Sequence, residues 1–215
     1  MDPAAADAPR DCPLCPRLVA FRQANRASWP DWHNAPADSF AAADASVRLL
    51  IVGLAPGLRG ANRTGRPFTG DYAGDLLYAT LGKFGLARGT YRADPADGIE
   101  LVGCAITNAV RCVPPENKPT PAEINTCRPF LQATLGRFPD LRAILALGRV
   151  AHDSTLRALG AKPAAAPFSH GGSHEIGPIR LYSSYHCSRY NTNTGRLTTG
   201  MFEAVFATIT RDTRW

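Results

Sequence analysis

Residues 47–53 read Val-Arg-Leu-Leu-Ile-Val-Gly, and a long glycine-rich loop follows them. A short, nearly continuous apolar run of this kind is typical of a strand buried on both faces, as in a parallel sheet. Further apolar runs lie at residues 99–107, 143–147 and 179–182, and segments with helical patterning separate successive runs. We therefore predict a single α/β domain: a mostly parallel, four-stranded central sheet with helices on both faces, in three layers.

The helices are predicted at residues 75–84, 120–137, 150–159 and 199–209. The second is the most clearly marked, because Thr120 is a suitable N-cap, Pro121 follows it, and Glu123 completes a capping box. In a parallel sheet, ligands bind beyond the carboxyl ends of the strands. The loops after Gly53, at Asn108, at Gly148 and at His186 are therefore expected to meet at one cleft.

The chain has 215 residues and no obvious linker, so we expect one domain over residues 12–215. Residues 1–11 and 34–46 are rich in Ala, Asp and Pro without periodicity, and they predict a frayed N-terminus and a surface loop. There is no long apolar run and no signal-peptide profile, so we expect a soluble, cytoplasmic protein without a membrane partner.

The chain is basic, with a formal net charge of +6. Nucleic acid is the commonest partner of a basic soluble domain, although charge alone is equally compatible with a merely basic surface. Only three of the 24 basic residues are lysines. Arginine binds phosphate through two hydrogen bonds at once, which favours a phosphate-bearing partner, but a high-GC coding bias would produce the same excess.

Four cysteines indicate a metal centre: Cys12, Cys15, Cys112 and Cys127. Four thiolates from two distant segments form a closed ligand set, which suits either zinc or an iron–sulfur cluster. Their spacing does not distinguish the two. The alternative is four separate buried cysteines that act as small apolar side chains.

The loop over residues 53–74 is rich in glycine but has no nucleotide-binding signature. Its glycines expose main-chain N–H groups, while Arg59, Arg63 and Arg66 supply positive charge and Phe68 a flat apolar surface. This combination suits a nucleobase with its phosphates; the alternative is a core phenylalanine in an ordinary loop. His186 follows the last predicted strand, where it could donate a hydrogen bond to a leaving group or serve a structural role.

Three motifs together resemble those of a known family. They are the glycine-rich loop, the Thr107-Asn108 pair before Cys112, and the loop from His186 to Asn-Thr-Gly-Arg-Leu-Thr at residues 193–198. In this order they resemble the iron–sulfur uracil-DNA glycosylases of family 5, or type B, over nearly the whole chain. The resemblance implies a [4Fe–4S] cluster on the four cysteines, with zinc as the lesser alternative.

The resemblance also implies a role for each site residue. Phe68 stacks on a flipped base, with Gly53 and Ala55 beside it in the substrate pocket, and Asn108 pairs with the polar edge of uracil. Asp71 orients the attacking water or stabilises positive charge on the sugar, and His186 stabilises the departing base. The surface that binds DNA then comprises Arg63, Ser188, Arg189, Tyr190 and Arg196.

Family 4 enzymes carry a glutamate where this chain has Leu54, so catalysis rests here on Asp71. The expected activity is that of a monofunctional DNA repair enzyme, monomeric and nucleoid-associated. It hydrolyses the N-glycosidic bond of uracil, and of deaminated bases such as hypoxanthine or xanthine, and leaves an abasic site. Two alternatives stay open: a glycosylase mainly for deaminated purines, and a non-catalytic iron–sulfur protein that binds nucleic acid.

Overall fold

The computed structural model describes residues 7–43 and 46–213. The strands are β1 (Phe40–Ala41), β2 (Leu49–Gly53), β3 (Ala87–Arg88), β4 (Glu100–Leu101), β5 (Cys104–Asn108), β6 (Ala143–Leu147), β7 (Ser173–Ile176) and β8 (Ile179–Ser184). The helices are α1 (Pro16–Ser28), α2 (Ala61–Thr64), α3 (Tyr72–Lys83), α4 (Pro121–Gly136), α5 (Arg149–Ala158), α6 (Arg189–Asn193) and α7 (Thr199–Thr213). Short 3-10 turns lie at Pro115–Asn117 and Pro163–Ala165.

The central sheet has the order β1-β5-β2-β6-β8-β7. Its four inner strands are parallel, which confirms the α/β class; β2, β6 and β8 match predicted strands, and β5 matches the second part of the predicted strand at 99–107. Two short antiparallel strands, β1 and β7, extend the sheet at its edges. Helix α3 packs with α7, and α4 with α5, so that helices flank the sheet. No helix in the described ranges is long and apolar enough to cross a membrane.

The register of the parallel strands places the predicted site at one edge. Gly53 at the end of β2 is paired with Asn108 at the end of β5. The ends of β6 and β8 are also aligned, because Leu147 is paired with Ser184. Loops that leave these four ends therefore emerge side by side, as expected for a ligand site in a parallel sheet.

Two sequence predictions for strands and loops need correction. The predicted loop at 34–46 contains β1, whose two residues pair with β5. The predicted strand at 99–107 is two strands, because Gly103 has a φ of +59° and turns the chain. Its first part, β4, pairs with β3 in a separate two-stranded sheet.

The N-terminal segment also differs from the prediction of a frayed end. Residues 1–6 lie outside the described residues, but residues 7–11 contact the domain. Asp7 accepts hydrogen bonds from the backbone N and the Oγ of Ser39, at 2.9 and 3.0 Å. It also lies 3.5 Å from the guanidinium of Arg111, and Ala8 is buried. These contacts attach the segment to the domain.

Candidate active site

A cleft of about 600 Å³, partly open to solvent, lies at the carboxyl ends of the parallel strands. The predicted residues that line it are Ala55, Arg59, Phe68, Asp71, Asn108, His186, Ser188 and Arg189. These residues come from three segments that are far apart in the sequence. The structure therefore places the predicted base-binding and catalytic side chains in one site, with Gly53 directly beneath Asn108 and Phe68.

Asn108 lies at the base of the cleft and is 2% exposed. Its Oδ1 atom is buried and accepts no hydrogen bond. A Cβ atom on Gly53 would lie 2.4 Å from this oxygen and 2.7 Å from the Phe68 ring, so only glycine fits there. A buried acceptor without a donor is costly, and the residue that carries it lines the cleft. Asn108 is therefore prepared to bind a ligand that carries an N–H group.

Phe68 forms a wall of the cleft beside His186. The two ring centroids are 5.7 Å apart and the ring planes differ by 26°. Phe68 has a φ of +53°, a conformation that is uncommon for a residue other than glycine. Such strain is characteristic of residues held in place for function.

Asp71 is the N-cap of α3, and its Oδ1 accepts a hydrogen bond from the Gly74 backbone at 3.4 Å. The other oxygen, Oδ2, lies against bare glycine backbone: a Cβ atom would be 2.9 Å away on Gly57 and 2.2 Å away on Gly60. Burial raises the pKa of the Asp71 carboxyl, while hydrogen bonds from the Gly74 and Ala73 backbone act in the opposite direction. The carboxyl group is thus partly desolvated at the cleft wall.

His186 follows β8 and is partly buried in the cleft. Burial lowers its pKa to about 4, so the imidazole is neutral near pH 7. Its backbone oxygen accepts a hydrogen bond from the Asn191 side chain at 2.8 Å, which positions the residue. Within the described residues the ring nitrogens have no hydrogen-bond partner, so the ring N–H is available to a ligand.

The rim of the cleft carries exposed arginines and one exposed aromatic ring. Arg189 lies over the Tyr72 ring at 5.4 Å, and Arg196 over the Tyr185 ring at 4.6 Å. Tyr190, at the start of α6, is 72% exposed, far more than the other large apolar side chains of the described chain. Neither Tyr190 nor Arg196 lines the cleft itself, so their predicted contact with DNA stays a prediction.

The other residues predicted to bind DNA or phosphate differ in their positions. Ser188 caps α6, since its Oγ accepts a hydrogen bond from the Asn191 backbone at 3.4 Å, and it lines the cleft. Arg63 is exposed and donates to the Arg59 carbonyl oxygen at 3.0 Å. Arg66 is different: it is buried and makes two hydrogen bonds to Asp97, at 2.8 and 2.9 Å. The prediction that Arg66 supplies free positive charge is therefore wrong.

Asn117 also lines the cleft, and the sequence analysis did not identify it. It ends the 3-10 turn at Pro115–Asn117, where Glu116 and Asn117 have φ values of +54° and +56°. Asparagine tolerates this conformation better than most residues. The Pro-Pro-Glu-Asn-Lys-Pro sequence at 114–119 indicates a turn, but nothing in it indicates that the turn reaches the cleft.

The four predicted ligand cysteines line a second cavity, next to Leu18, Val110 and Phe130. All are free thiols. Burial raises the pKa of Cys15 to about 11 and that of Cys112 to about 12. No group of three or more His, Cys, Asp or Glu side chains in the described ranges is arranged to hold a single metal ion. The thiols surround the cavity instead of meeting at one point.

Hydrogen-bond donors point at two of these sulfur atoms. Arg22, which is buried, lies with Nη1 3.6 Å from the Sγ of Cys112, and the backbone N of Arg111 donates to the Sγ of Cys127 at 3.3 Å. Donors of this kind stabilise thiolates bound to metal. A sulfur donor set in an apolar cavity with N–H donors fits an iron–sulfur cluster.

The cysteine cavity and the cleft are neighbours. Ala55 packs against the cysteine cluster and also lines the cleft. The backbone N of Val110 donates to the carbonyl oxygen of Leu54 at 3.0 Å. The remaining two cysteines are buried and serve packing: the thiol of Cys104 donates to Leu86 O, and that of Cys187 donates to Ala73 O at 3.4 Å.

Comparison with known proteins is consistent with this site. The family model of the uracil DNA glycosylase superfamily matches residues 40–210. The chain is 46% identical to a type-5 uracil-DNA glycosylase of Thermus thermophilus, over 89% of each chain. It is 44% identical to one of Mycobacterium bovis, over 91% of this chain and 75% of the relative. It is 40% identical to one of Pyrobaculum aerophilum, over 87% of this chain and 83% of the relative.

Proposed function

Because the chain belongs to the uracil DNA glycosylase superfamily, and within it to the type-5 uracil-DNA glycosylases, we propose that its cleft removes uracil from DNA in base-excision repair. The reaction hydrolyses the N-glycosidic bond and leaves an abasic site. The observation that carries this proposal is the buried, unpartnered Oδ1 of Asn108 in the same cleft as the Phe68 ring, the Asp71 carboxyl and the neutral His186 imidazole.

Recognition requires that the base leave the helix, because its glycosidic bond is not reachable inside a stacked duplex. In our proposal the flipped uracil stacks on Phe68 and its N3–H donates to the Oδ1 of Asn108. Cytosine has no hydrogen at N3, so it cannot make this bond. A base that leaves the Asn108 oxygen unpaired is disfavoured by the cost of that buried acceptor.

Hydrolysis breaks the C1′–N1 bond, whose electron pair leaves with the base, and forms a bond between C1′ and a water oxygen; the proton that the water loses ends on the base, so the products are free uracil and a C1′ hydroxyl. Positive charge develops on the sugar, where an ionised Asp71 stabilises it or orients the water. Negative charge develops on the departing uracil, where the N–H of neutral His186 donates a hydrogen bond. Preorganised groups that face developing charge are usually the largest source of catalysis.

The DNA-binding surface is proposed to surround the cleft. Arg63, Arg189 and Arg196 are exposed and contact phosphates, while Ser188 caps the helix that presents Tyr190. In our proposal the Tyr190 ring fills the space that the flipped base vacates, which its exposure supports. We further propose that the protein acts as a monomer on DNA in the cytoplasm, associated with the nucleoid.

A duplex with a single uracil tests the proposed function. The purified protein is expected to release free uracil and to leave intact strands that break only after alkali, because lyase chemistry needs an amine and no lysine is among the residues that line the cleft. A duplex with thymine at the same position is the control. Strand breaks before alkali would contradict the monofunctional reaction.

The same assay separates the alternatives. Faster release of hypoxanthine or xanthine than of uracil would indicate a purine glycosylase. Binding of the duplex without release of any base would indicate a non-catalytic protein. Release of uracil in preference to both purines is the expected result.

We propose a [4Fe–4S] cluster on Cys12, Cys15, Cys112 and Cys127, with zinc as the lesser alternative. The proposal is supported by four thiols around one cavity and by N–H donors to two of the sulfur atoms. With all four thiolates used in ligation, the cluster serves structure. It would connect α1 and α4 to the segment that follows Asn108.

Removal of one thiol tests the cluster. Cys112→Ser is expected to lose the bound iron and to lower the melting temperature, because metal binding to these distant segments contributes directly to folding. Cys104→Ser is the matched control, since Cys104 is also buried but lies in β5, outside the cysteine cavity. Iron and sulfide analysis and visible absorption give the result. Colourless wild-type protein with one zinc per chain would contradict the proposal.

A further inference from the structure

The segment over residues 67–71 carries both the base-stacking ring and the catalytic carboxyl. Phe68 has a φ of +53° and Gly70 a φ of +94°, so the chain makes a tight turn between them. This conformation is uncommon for phenylalanine and persists where surrounding contacts hold it. The turn is held by several side chains, among them Thr64, whose Oγ1 donates to Thr69 O at 3.0 Å.

The hydroxyl of Tyr91 also holds the turn. It donates to the Phe68 carbonyl oxygen at 3.2 Å and accepts from the Gly70 backbone N at 3.2 Å. One oxygen atom thus bridges the two residues of the turn that have positive φ. The space around it is tight: a Cβ atom on Gly74 would lie 2.3 Å from the Tyr91 hydroxyl and 2.0 Å from the Phe68 carbonyl oxygen.

The Tyr91 ring is itself held in position. It stacks on Tyr78, with ring centroids 4.5 Å apart and planes 15° apart. The guanidinium of Arg66 lies 5.4 Å from the Tyr78 centroid and 5.9 Å from the Tyr91 centroid. Arg66 is fixed by its two hydrogen bonds to Asp97, and Tyr78 donates to Pro67 O at 2.9 Å. The hydroxyl is therefore presented to the turn by a rigid group of side chains.

We propose that Tyr91 is a positioning residue for uracil excision. It is not among the residues that line the cleft, and it touches neither the base nor the sugar in the proposed reaction. It acts through the backbone of residues 68–70, which sets the plane of the Phe68 ring and the start of the helix that Asp71 caps. The inference rests on the proposed function, because it concerns the same cleft.

Tyr91→Phe removes only the hydroxyl and keeps the ring that packs on Tyr78. We expect the single-turnover rate of uracil release to fall about tenfold or more, because small misplacements of reacting groups are costly. The inhibition constant of free uracil should rise about fivefold or more, because the stacking platform loosens. Affinity for an abasic-site duplex should change less than about twofold, because phosphate contacts dominate it.

Tyr182→Phe is the matched control, because its hydroxyl also makes a side-chain hydrogen bond, to Asp212 at 3.1 Å, and Tyr182 does not line the cleft. It should leave rate and uracil inhibition unchanged. Hydrogen exchange gives a second measurement that does not depend on activity. The Gly70 amide should lose protection in Tyr91→Phe at a temperature where the variant is folded, and keep it in Tyr182→Phe.

Wild-type rate and uracil inhibition in Tyr91→Phe would overturn the inference, as would unchanged protection of the Gly70 amide. Equal losses in Tyr182→Phe would also overturn it, because they would indicate a general effect on stability. Failure of the proposed function gives a different result from failure of this inference, because the wild-type protein itself would then release no uracil.

Discussion

Asp71→Asn is expected to lower the single-turnover rate of uracil release by about 10²- to 10³-fold, the usual cost of losing a preorganised charge-stabilising group. The substitution removes the charge but keeps a side chain that caps a helix as well as aspartate does, so α3 should be preserved. Affinity for an abasic-site duplex should therefore change little. Rapid-quench kinetics and equilibrium binding measure the two quantities.

Asp75→Asn is the control for this prediction. Asp75 lies in the first turn of the same helix, is exposed, and is not among the residues that line the cleft. Its substitution changes the net charge by the same amount and should leave the rate unchanged. An unaffected rate in Asp71→Asn would remove Asp71 from the mechanism, and equal losses in both variants would show that only the overall charge matters.

The shifted pKa values determine the sign of the pH effects. Burial raises the pKa of Asp71, so the folded protein holds this proton to a higher pH than the unfolded chain does. The carboxyl therefore lowers the free energy of unfolding as pH rises through the interval between its ordinary and its raised pKa. Asp71→Asn should consequently not lower the melting temperature at neutral pH. The substitution therefore lowers the rate of uracil release without lowering stability.

Asn108→Ala is expected to lower kcat/KM for a uracil duplex by about 10²-fold or more, because the site loses its hydrogen bond to the base. Stability should not fall with it. The Oδ1 atom of Asn108 is buried without a partner in the free protein, and removal of such an acceptor also removes its desolvation cost. Steady-state kinetics and thermal melting give the two results.

Asn62→Ala provides the contrast. Asn62 is as buried as Asn108 and its Oδ1 also lacks a hydrogen-bond partner, but its Nδ2 donates to the Oδ1 of Asn34 at 2.9 Å, a bond that the variant loses, and Asn62 does not line the cleft. This variant should lose stability and retain its turnover. If Asn108→Ala lost no more activity than Asn62→Ala, the proposed hydrogen bond between Asn108 and uracil would be contradicted.

The inner sheet was predictable because its strands are apolar on both faces. The runs that became β2, β6 and β8 stand out from polar surroundings, and the capping box of α4 marks its start. The edge strand β1 was not predictable, since two residues show no alternation. Its pairing depends on a neighbour, β5, that lies more than sixty residues later.

The site was predictable where a residue follows a strand end or belongs to a recognised motif, as Asn108 and His186 do. Asn117 and Tyr91 lacked such a pattern. Tyr91 reaches the Phe68 carbonyl across 23 residues, and this bond exists only in the folded chain. Arg66 was misinterpreted for the same reason, since its partner Asp97 lies 31 residues away. Tertiary contacts, rather than local sequence, determine these three roles.

The central claim is that an ionised Asp71 and a neutral His186 excise uracil together. The most direct measurement is the pH dependence of single-turnover uracil release from a uracil-containing duplex. Burial keeps the pKa of His186 at about 4, so the imidazole is neutral from pH 6 to 8, and burial raises the pKa of the Asp71 carboxyl above its ordinary value. The account predicts a rate of uracil release that falls in acid, as Asp71 takes up a proton, and does not fall as pH rises from about 6 to 8. No release, or a rate that falls as pH rises through about 6.5, would contradict it.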